Sequence, residues 1–391
     1  MEDALSQDFK AGIKGEPHWL TQLRSLAWKK YLAMPTPQLK YGLSIRTDIK
    51  HLDFEKLPAL VAGQKLSTVV ENPNPSVVVM PFDQALMKYE KLVKQYLFNI
   101  ATKEDKFSLF HRALFRNGWL VYVPKGVIAK PVRIRHEISS DAATSHTLII
   151  LESGSQLDVI ESFTSEKGIM GTAMAEAVAD DNSRLTYFGI NKLSSGFTQF
   201  RYQCGVAHRD AAIDWFMADL GGKLTRSETS TRLAGEGAST QNLGMFFGTG
   251  SQAFDLTSNA FHLAPHTISD MLTRGALDDK ATSTYNGMVK IYPNASNCNG
   301  FQREDTLLLS PDTDANAIPH LEIDNNDVRC THAASTSQVD REQLFYLMSR
   351  GLPEKQAVKL IVKGFFERLL QRVKLEEMKK TLRADIYARI R

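Results

Sequence analysis

Residues 184–220 read RLTYFGINKLSSGFTQFRYQCGVAHRDAAIDWFMADL. Apolar side chains alternate at Leu185 and Tyr187, and again at Ile213, Trp215 and Met217. A period of two is what a strand needs to send one set of side chains inward and the other outward. The same texture extends both ways: Val132, Ile134 and Ile138; Leu148 and Ile150; Leu157 and Val159; then Phe254 and Leu256, and Val289 and Ile291. Glycines at 154, 168, 189, 205, 221, 235, 244 and 275 punctuate these runs. From Trp119 to about Thr336 no convincing long helix interrupts them. A globular sandwich of that length would be unusual, whereas a solenoid stacks each coil only on its neighbours. The repeat gives no fixed period, so length and strand density favour a mainly β chain with a parallel β-helix core over residues 119–336.

Both flanks read as helical. In residues 1–118, HWLTQLRSLAWKKYLAM places Trp19, Leu20, Leu23, Leu26 and Ala27 at helical spacing, with Pro35 and Pro37 as the stop. Residues 38–78 resist placement. A second helical zone starts near Phe82-Asp83 and ends at Asn117-Gly118, read as a C-cap. Residues 337–391 carry a helix, a Gly-Leu-Pro break at 351–353 and a second helix. Leu344, Phe345, Leu347 and Met348 form the apolar face of the first; Ala357, Leu360, Ile361, Phe365, Leu369 and Leu370 form that of the second. From Lys355 to Arg391, eleven Lys/Arg stand against four Asp/Glu. That excess is either a solvated helix face or a docking surface for an acidic partner.

The 391 residues suffice for a large core without disulfides. With 47 Lys/Arg against 44 Asp/Glu, the net charge of +3 makes no case for nucleic-acid binding. Three scattered cysteines (Cys204, Cys298, Cys330) form no disulfide framework or CxxC pair and suit a reducing compartment. The polar start MEDALSQDFK has no secretory pattern, and no apolar run is long enough to span a membrane. The expectation is a soluble cytoplasmic protein.

Enzyme signatures are mostly missing. There is no GxxxxGK[ST] loop, no GxSxG and no HExxH, and the G-x-G pairs at 235–237 and 248–250 complete no dinucleotide fingerprint. Cys330-Thr331-His332 puts a thiol and an imidazole on one face of a strand. Both bind iron or zinc once deprotonated, but two ligands close no tetrahedral site. The alternative is a buried structural pair. Cys298, in NASNCNG, reads as reactive or merely exposed, and Cys204 as packing. His208, Glu228, His262, His266 and Asp270 are scattered, and spacing selects no catalytic pair among them.

The block DVRCTHAASTSQVDREQLFYLMSRGL, residues 327–352, resembles the signature of the SufB/SufD family of iron–sulfur cluster assembly proteins. Residues 16–37, 114–134, 262–295 and 301–323 are similar to other family segments in the same order, so the resemblance spans nearly the whole chain. The Cys-x-His form followed by Ala333 and Ala334, without the glutamate that SufB types tend to carry, resembles the SufD type. Ala333 departs from the Gly common there. A SufB-like role stays open through Cys298.

The resemblance implies a right-handed parallel β-helix flanked by helical regions and a non-catalytic scaffold in the SUF complex. It implies pairing with a SufB-like paralogue through the β-helices, and a SufC-like ATPase docked on the C-terminal helices. A homodimer is possible when the chain is alone. His332, with Cys330 beside it, would be an iron or cluster ligand at the partner interface. The cluster or iron would be transient and held only within the complex. Phe345, Tyr346 and Arg350 would belong to the ATPase-docking region. The competing readings are a β-helix carbohydrate-active enzyme with paired carboxylates on one coil face, and a structural or adhesion β-helix.

Overall fold

A computed structural model describes residues 16–35, 49–101 and 103–390. The chain forms a parallel β-solenoid of about eight turns with helices at both ends. The N-terminal elements are α1 (His18–Ala33), α2 (Leu57–Ala62), β1 (Leu66–Glu71), β2 (Val78–Pro81), α3 (Phe82–Lys88), α4 (Glu90–Tyr96) and α5 (Lys106–Leu114). The solenoid strands are β3 (Asn117–Val123), β4 (Val132–Ile138), β5 (Ala142–Leu151), β6 (Gln156–Ser165), β7 (Met170–Ala179), β8 (Arg184–Lys192), β9 (Thr198–Ala207), β10 (Ala212–Asp219), β11 (Leu224–Leu233), β12 (Ser239–Gly248), β13 (Ala253–His262), β14 (Ile268–Leu277), β15 (Thr282–Ile291), β16 (Cys298–Leu308), β17 (Asp314–Ile323) and β18 (Val328–Gln338). From β3 on, even-numbered strands stack in one sheet and odd-numbered ones in the other, so each turn adds one strand to each; β1 edges the even sheet and β2 the odd one. Helices α6 (Arg341–Ser349), α7 (Glu354–Leu370) and α8 (Glu376–Tyr387) complete the chain.

In the even sheet the inward side chains stack in columns, because every strand repeats the same register. One column runs Leu157, Leu185, Ile213, Thr240, Ser269, Gly300, Cys330. The next runs Val159, Tyr187, Trp215, Asn242, Met271, Gln302, His332. In these two columns the side chains are apolar in the early coils and mostly polar in the late ones.

The coil period is written in the backbone. Positive φ recurs at Gly126, Gly154, Asn182, Asp210, Gly237, His266 and Asn297, at intervals of 27 to 31 residues. This left-handed corner takes Gly freely and tolerates Asn, Asp and His. Each corner N–H donates to a carbonyl of the next coil: Gly154 to Asp181 (2.9 Å), Asn182 to Arg209 (2.8 Å), Asp210 to Glu236 (2.9 Å), His266 to Ser296 (2.9 Å). Val127, after the corner at Gly126, is half-buried; the residue after each later corner is buried and mostly small: Ser155, Ser183, Ala211, Ala238, Thr267, Cys298.

The N-terminal helices cover the outer face of the odd sheet. Phe107 stacks on Phe200 with centroids 3.5 Å apart. The buried Glu176 carboxylate accepts the N–H groups of Phe98, Ile100 and Ala101 at 2.6, 3.1 and 2.7 Å. Hence β5 and β7 are buried at every position. Leu148 and Ile150 face the helices, while Ile149 and Leu151 face the solenoid interior. Asn117-Gly118 is not a C-cap: α5 ends at Leu114 with Phe115 capping, and both residues begin β3. Glycine is needed there because a Cβ would fall 1.8 Å from the Phe82 ring. Helix α1 ends at Ala33, before Pro35, and Pro37 lies outside the described residues.

The C-terminal region holds three helices where the sequence suggested two. Val362, Phe366, Leu369 and Leu370 of α7, with Met378, Leu382 and Ile386 of α8, pack on the even sheet against Phe188, Phe216 and Met245. Leu360, expected on the apolar face, is 49% exposed, because the sheet-facing stripe runs one position later, through Val362 and Phe366. Much of the basic excess is used within the chain. Arg372 pairs with Asp270, Lys374 lies 3.9 Å from Asp214, and Arg383 lies 2.6 Å from Glu367.

Candidate functional site

The two ends of the solenoid differ. At the start, β1 pairs antiparallel with β4, and β2 with β3, so both sheet edges are covered. At the far end, β17 and β18 carry no further strand among the described residues, and β18 is exposed along most of its length. A long uncovered edge is a template for pairing with another chain.

Cys330 and His332 sit on β18, in the inward columns, on this last coil. Cys330 pairs in register with Gly300, and its Sγ lies 3.1 Å from where a Gly300 Cβ would stand. It is half-buried against the cluster of Met271, Val289 and Cys298, and that burial raises its thiol pKa. His332 lies opposite Gln302 and is exposed. Beneath them, Gln302 and Glu304 are buried, and Gln302 Oε1 and Glu304 Oε2 have no hydrogen-bond partner. Desolvation pushes the Glu304 carboxyl up to about 7. Among the described residues no group of three or more His, Cys, Asp or Glu gathers as a metal cage. The pair offers one thiol and one imidazole at an open face; further ligands must come from outside the chain.

Cys298 is neither exposed nor in the solvent-facing turn that the sequence suggested; it is 2% exposed. It fills the buried corner position that Ser155, Ser183, Ala211, Ala238 and Thr267 fill in earlier coils, and its Sγ lies 3.0 Å from Thr267 Oγ1. Its polar neighbours in NASNCNG hid this, since Asn297 takes the left-handed corner just before it. Cys204 lies on the outer face of β9 beneath the N-terminal helices, where burial pushes its thiol pKa far up. His262 is buried, hydrogen-bonded to Thr267 (2.7 Å) and Ser269 (2.8 Å), and burial lowers it to about 4. It is therefore neutral at pH 7. Glu228 pairs with Lys103, Asp270 with Arg372, and His266 stands at an exposed corner. The fold does not assemble these into a catalytic pair. The outer carboxylates Asp158, Asp214 and Asp270 do recur on alternate coils, but cations of the C-terminal region face them rather than a substrate groove.

Helix α6 begins at Asp340, whose Oδ1 accepts the N–H of Glu342 (2.8 Å) and Gln343 (3.2 Å). It buries none of its residues within this chain. Phe345 is 74% and Tyr346 57% exposed, and the Arg350 guanidinium sits 5.2 Å from the Tyr346 ring centre. Of the apolar face read from the sequence, Phe345 and Met348 face solvent. Together with Leu360 these residues make an exposed apolar patch of the kind that marks an interaction surface.

Sequence reasoning missed Glu304, Gln302 and Glu176. Glu176 stands between Leu148 and Cys204 in its column, Gln302 between Met271 and His332, and Glu304 between Thr273 and Ala334, a placement that becomes visible only once the register is known.

The model of the family described as "SUF system FeS cluster assembly, SufBD core domain" matches residues 134–365. The chain is 32% identical to the iron–sulfur cluster assembly protein SufD of Bacillus subtilis, over 91% of this chain and 83% of that protein. It is 27% identical to SufBD family proteins of Staphylococcus saprophyticus (94% and 88% covered) and Staphylococcus epidermidis (93% and 88%). The matched span takes in the late coils, the Cys330–His332 strand and helix α6. The chain belongs to the SufB/SufD family of SUF-system iron–sulfur cluster assembly proteins, and within it is SufD-like.

Proposed function

We propose that the chain acts as a non-catalytic, cytoplasmic scaffold that helps to build nascent iron–sulfur clusters, which it handles as cargo. The observation that carries this reading is the asymmetry of the solenoid: one end covered, the other ending in bare β17 and β18 with Cys330 and His332 on the last coil. In this reading a second β-solenoid chain, a SufB-like paralogue, adds its edge to these strands through backbone hydrogen bonds. Its side chains complete the ligand set. His332, exposed, is the principal ligand to iron or the cluster, and Cys330, half-buried, supports it.

The chain lacks a phosphate loop, so ATP-driven work falls to a SufC-like ATPase. Phe345, Tyr346 and Arg350 of α6 form its docking patch, with the apolar area supplied by the rings and the charge held in place over Tyr346.

The test is His332→Ala in the complex co-expressed with its SUF partners. The expected result is an intact complex that no longer develops cluster absorbance, with a milder loss in Cys330→Ser. Full cluster formation in His332→Ala would remove the ligand role. Loss of the fold in either variant would return both residues to packing.

A further inference from the structure

Between the outer face of the even sheet and helices α6 and α7 lies a cleft of about 530 Å³. Three guanidinium groups converge on it: Arg274 of β14, Arg303 of β16 and Arg368 of α7. The one carboxylate among them, Asp305, is already saturated. It accepts Arg274 Nη2 at 3.0 Å, Arg303 Nε at 3.0 Å and Ser335 Oγ at 2.8 Å. At the rim, Asp340 Oδ1 is occupied by the first backbone N–H groups of α6. Donors remain. Arg368 makes no hydrogen bond or ion pair among the described residues, Arg303 uses only its Nε, and Arg274 Nε has no partner. Arg274 is only 5% exposed; burial lowers its pKa, Asp305 acts for its charge, and Arg368 and Arg303 act against it. One saturated carboxylate among three guanidinium groups leaves an excess of positive charge that a further anion would offset.

The opposite wall is different in kind. Ile361 presents apolar surface, the Phe365 ring lies 4.9 Å from the Arg274 guanidinium, whose Nη1 donates to the Phe365 carbonyl at 2.5 Å, and between these residues and Arg368 the helix narrows at Gly364. A Cβ placed on Gly364 would meet nothing within 4 Å. Glycine in a helix interior costs about 1 kcal/mol relative to alanine. Here it leaves the cleft open.

We propose that this cleft binds a phosphorylated small molecule. Arg303 and Arg368 hold the phosphoryl group above the buried Arg274, and the ligand's apolar body lies on Ile361. Arginine forks match phosphoryl oxygens two at a time. The volume is that of a small-molecule pocket; one acidic side chain from a partner would leave most of it empty. The site is separate from the Cys330–His332 face, which lies on the inward side of the same sheet, and from the exposed rings of α6.

The full-length chain, and the complex that contains it, are titrated with inorganic phosphate and with adenosine monophosphate by calorimetry. Two variants accompany them: Arg368→Gln, which removes a charge that no described residue pairs with, and Gly364→Leu, which adds bulk to the cleft from a position where a Cβ meets nothing within 4 Å. The expected result is saturable binding of the monophosphate, tighter than phosphate, weakened about tenfold or more by Arg368→Gln and abolished by Gly364→Leu, with melting unchanged in the first variant and not lowered in the second. Absence of saturable binding to either probe would overturn the proposal, as would equal binding by all three proteins. Failure to bind either probe, combined with a partner ATPase that dissociates from Arg368→Gln, would assign the arginines to an acidic side chain of that partner instead.

Discussion

Glu304→Gln offers a quantitative test of the late-coil interior. Glu304 lies on β16 directly inside the uncapped end, buried, with Thr306 donating to Oε1 and nothing donating to Oε2. Burial raises its pKa from 4.5 to about 7. Below pH 4.5 the carboxyl is protonated in folded and unfolded chains alike and costs nothing. As pH rises past 4.5 the unfolded chain releases the proton while the folded chain keeps it, so stability falls. The loss levels off once the folded carboxyl ionises above about pH 7. At 1.36 kcal/mol per pKa unit the full effect is about 3 kcal/mol, an upper figure. Glutamine keeps the shape and carries no charge. The variant therefore matches the parent near pH 4.5 and exceeds it by about 1–3 kcal/mol at pH 8. Urea unfolding of both proteins at the two pH values reads this directly. An identical pH dependence, or a variant less stable at pH 8, would refute the buried, raised carboxyl.

Other positions give simpler outcomes. Glu176→Ala removes the acceptor from three backbone N–H groups, so unfolding should ease by about 3 kcal/mol or more, with proteolysis beginning in the N-terminal helices. Gly275→Ala would put a Cβ 1.9 Å from the Phe246 ring; a loss of about 1–3 kcal/mol is expected in thermal or urea unfolding. Phe345→Asp, on a side chain 74% exposed, should leave folding within about 0.5 kcal/mol of the parent while releasing the ATPase partner, as read by co-purification.

The strands were legible because a period of two survives wherever one face is solvated or one face alone is apolar, as in Leu185–Tyr187 and Ile213–Met217. It is absent from β7 and catches only Leu148 and Ile150 of β5, because both strands are buried on both faces. The coil length was illegible for a physical reason. The left-handed corner is defined by φ, and Gly, Asn, Asp and His all satisfy it, so the 27-to-31-residue repeat leaves no fixed letter in the sequence. Cys330 and His332 could be named from the motif. Their place on an uncapped coil could not, because it depends on whether another strand stacks on β18. Nor could the spacing of Phe345 and Met348 reveal that their stripe meets solvent, since an amphipathic pattern says that a face is apolar and not what covers it.

If bare β17 and β18 are the pairing edge for a second solenoid chain, their backbone amides change protection when the complex forms. Hydrogen–deuterium exchange across Asp314–Ile323 and Val328–Gln338, in the isolated chain and in the co-expressed SUF complex, reads this. Fast exchange along β18 in the isolated chain and strong protection of both strands in the complex are expected. Equal exchange in the two states, with the complex intact, would contradict that pairing.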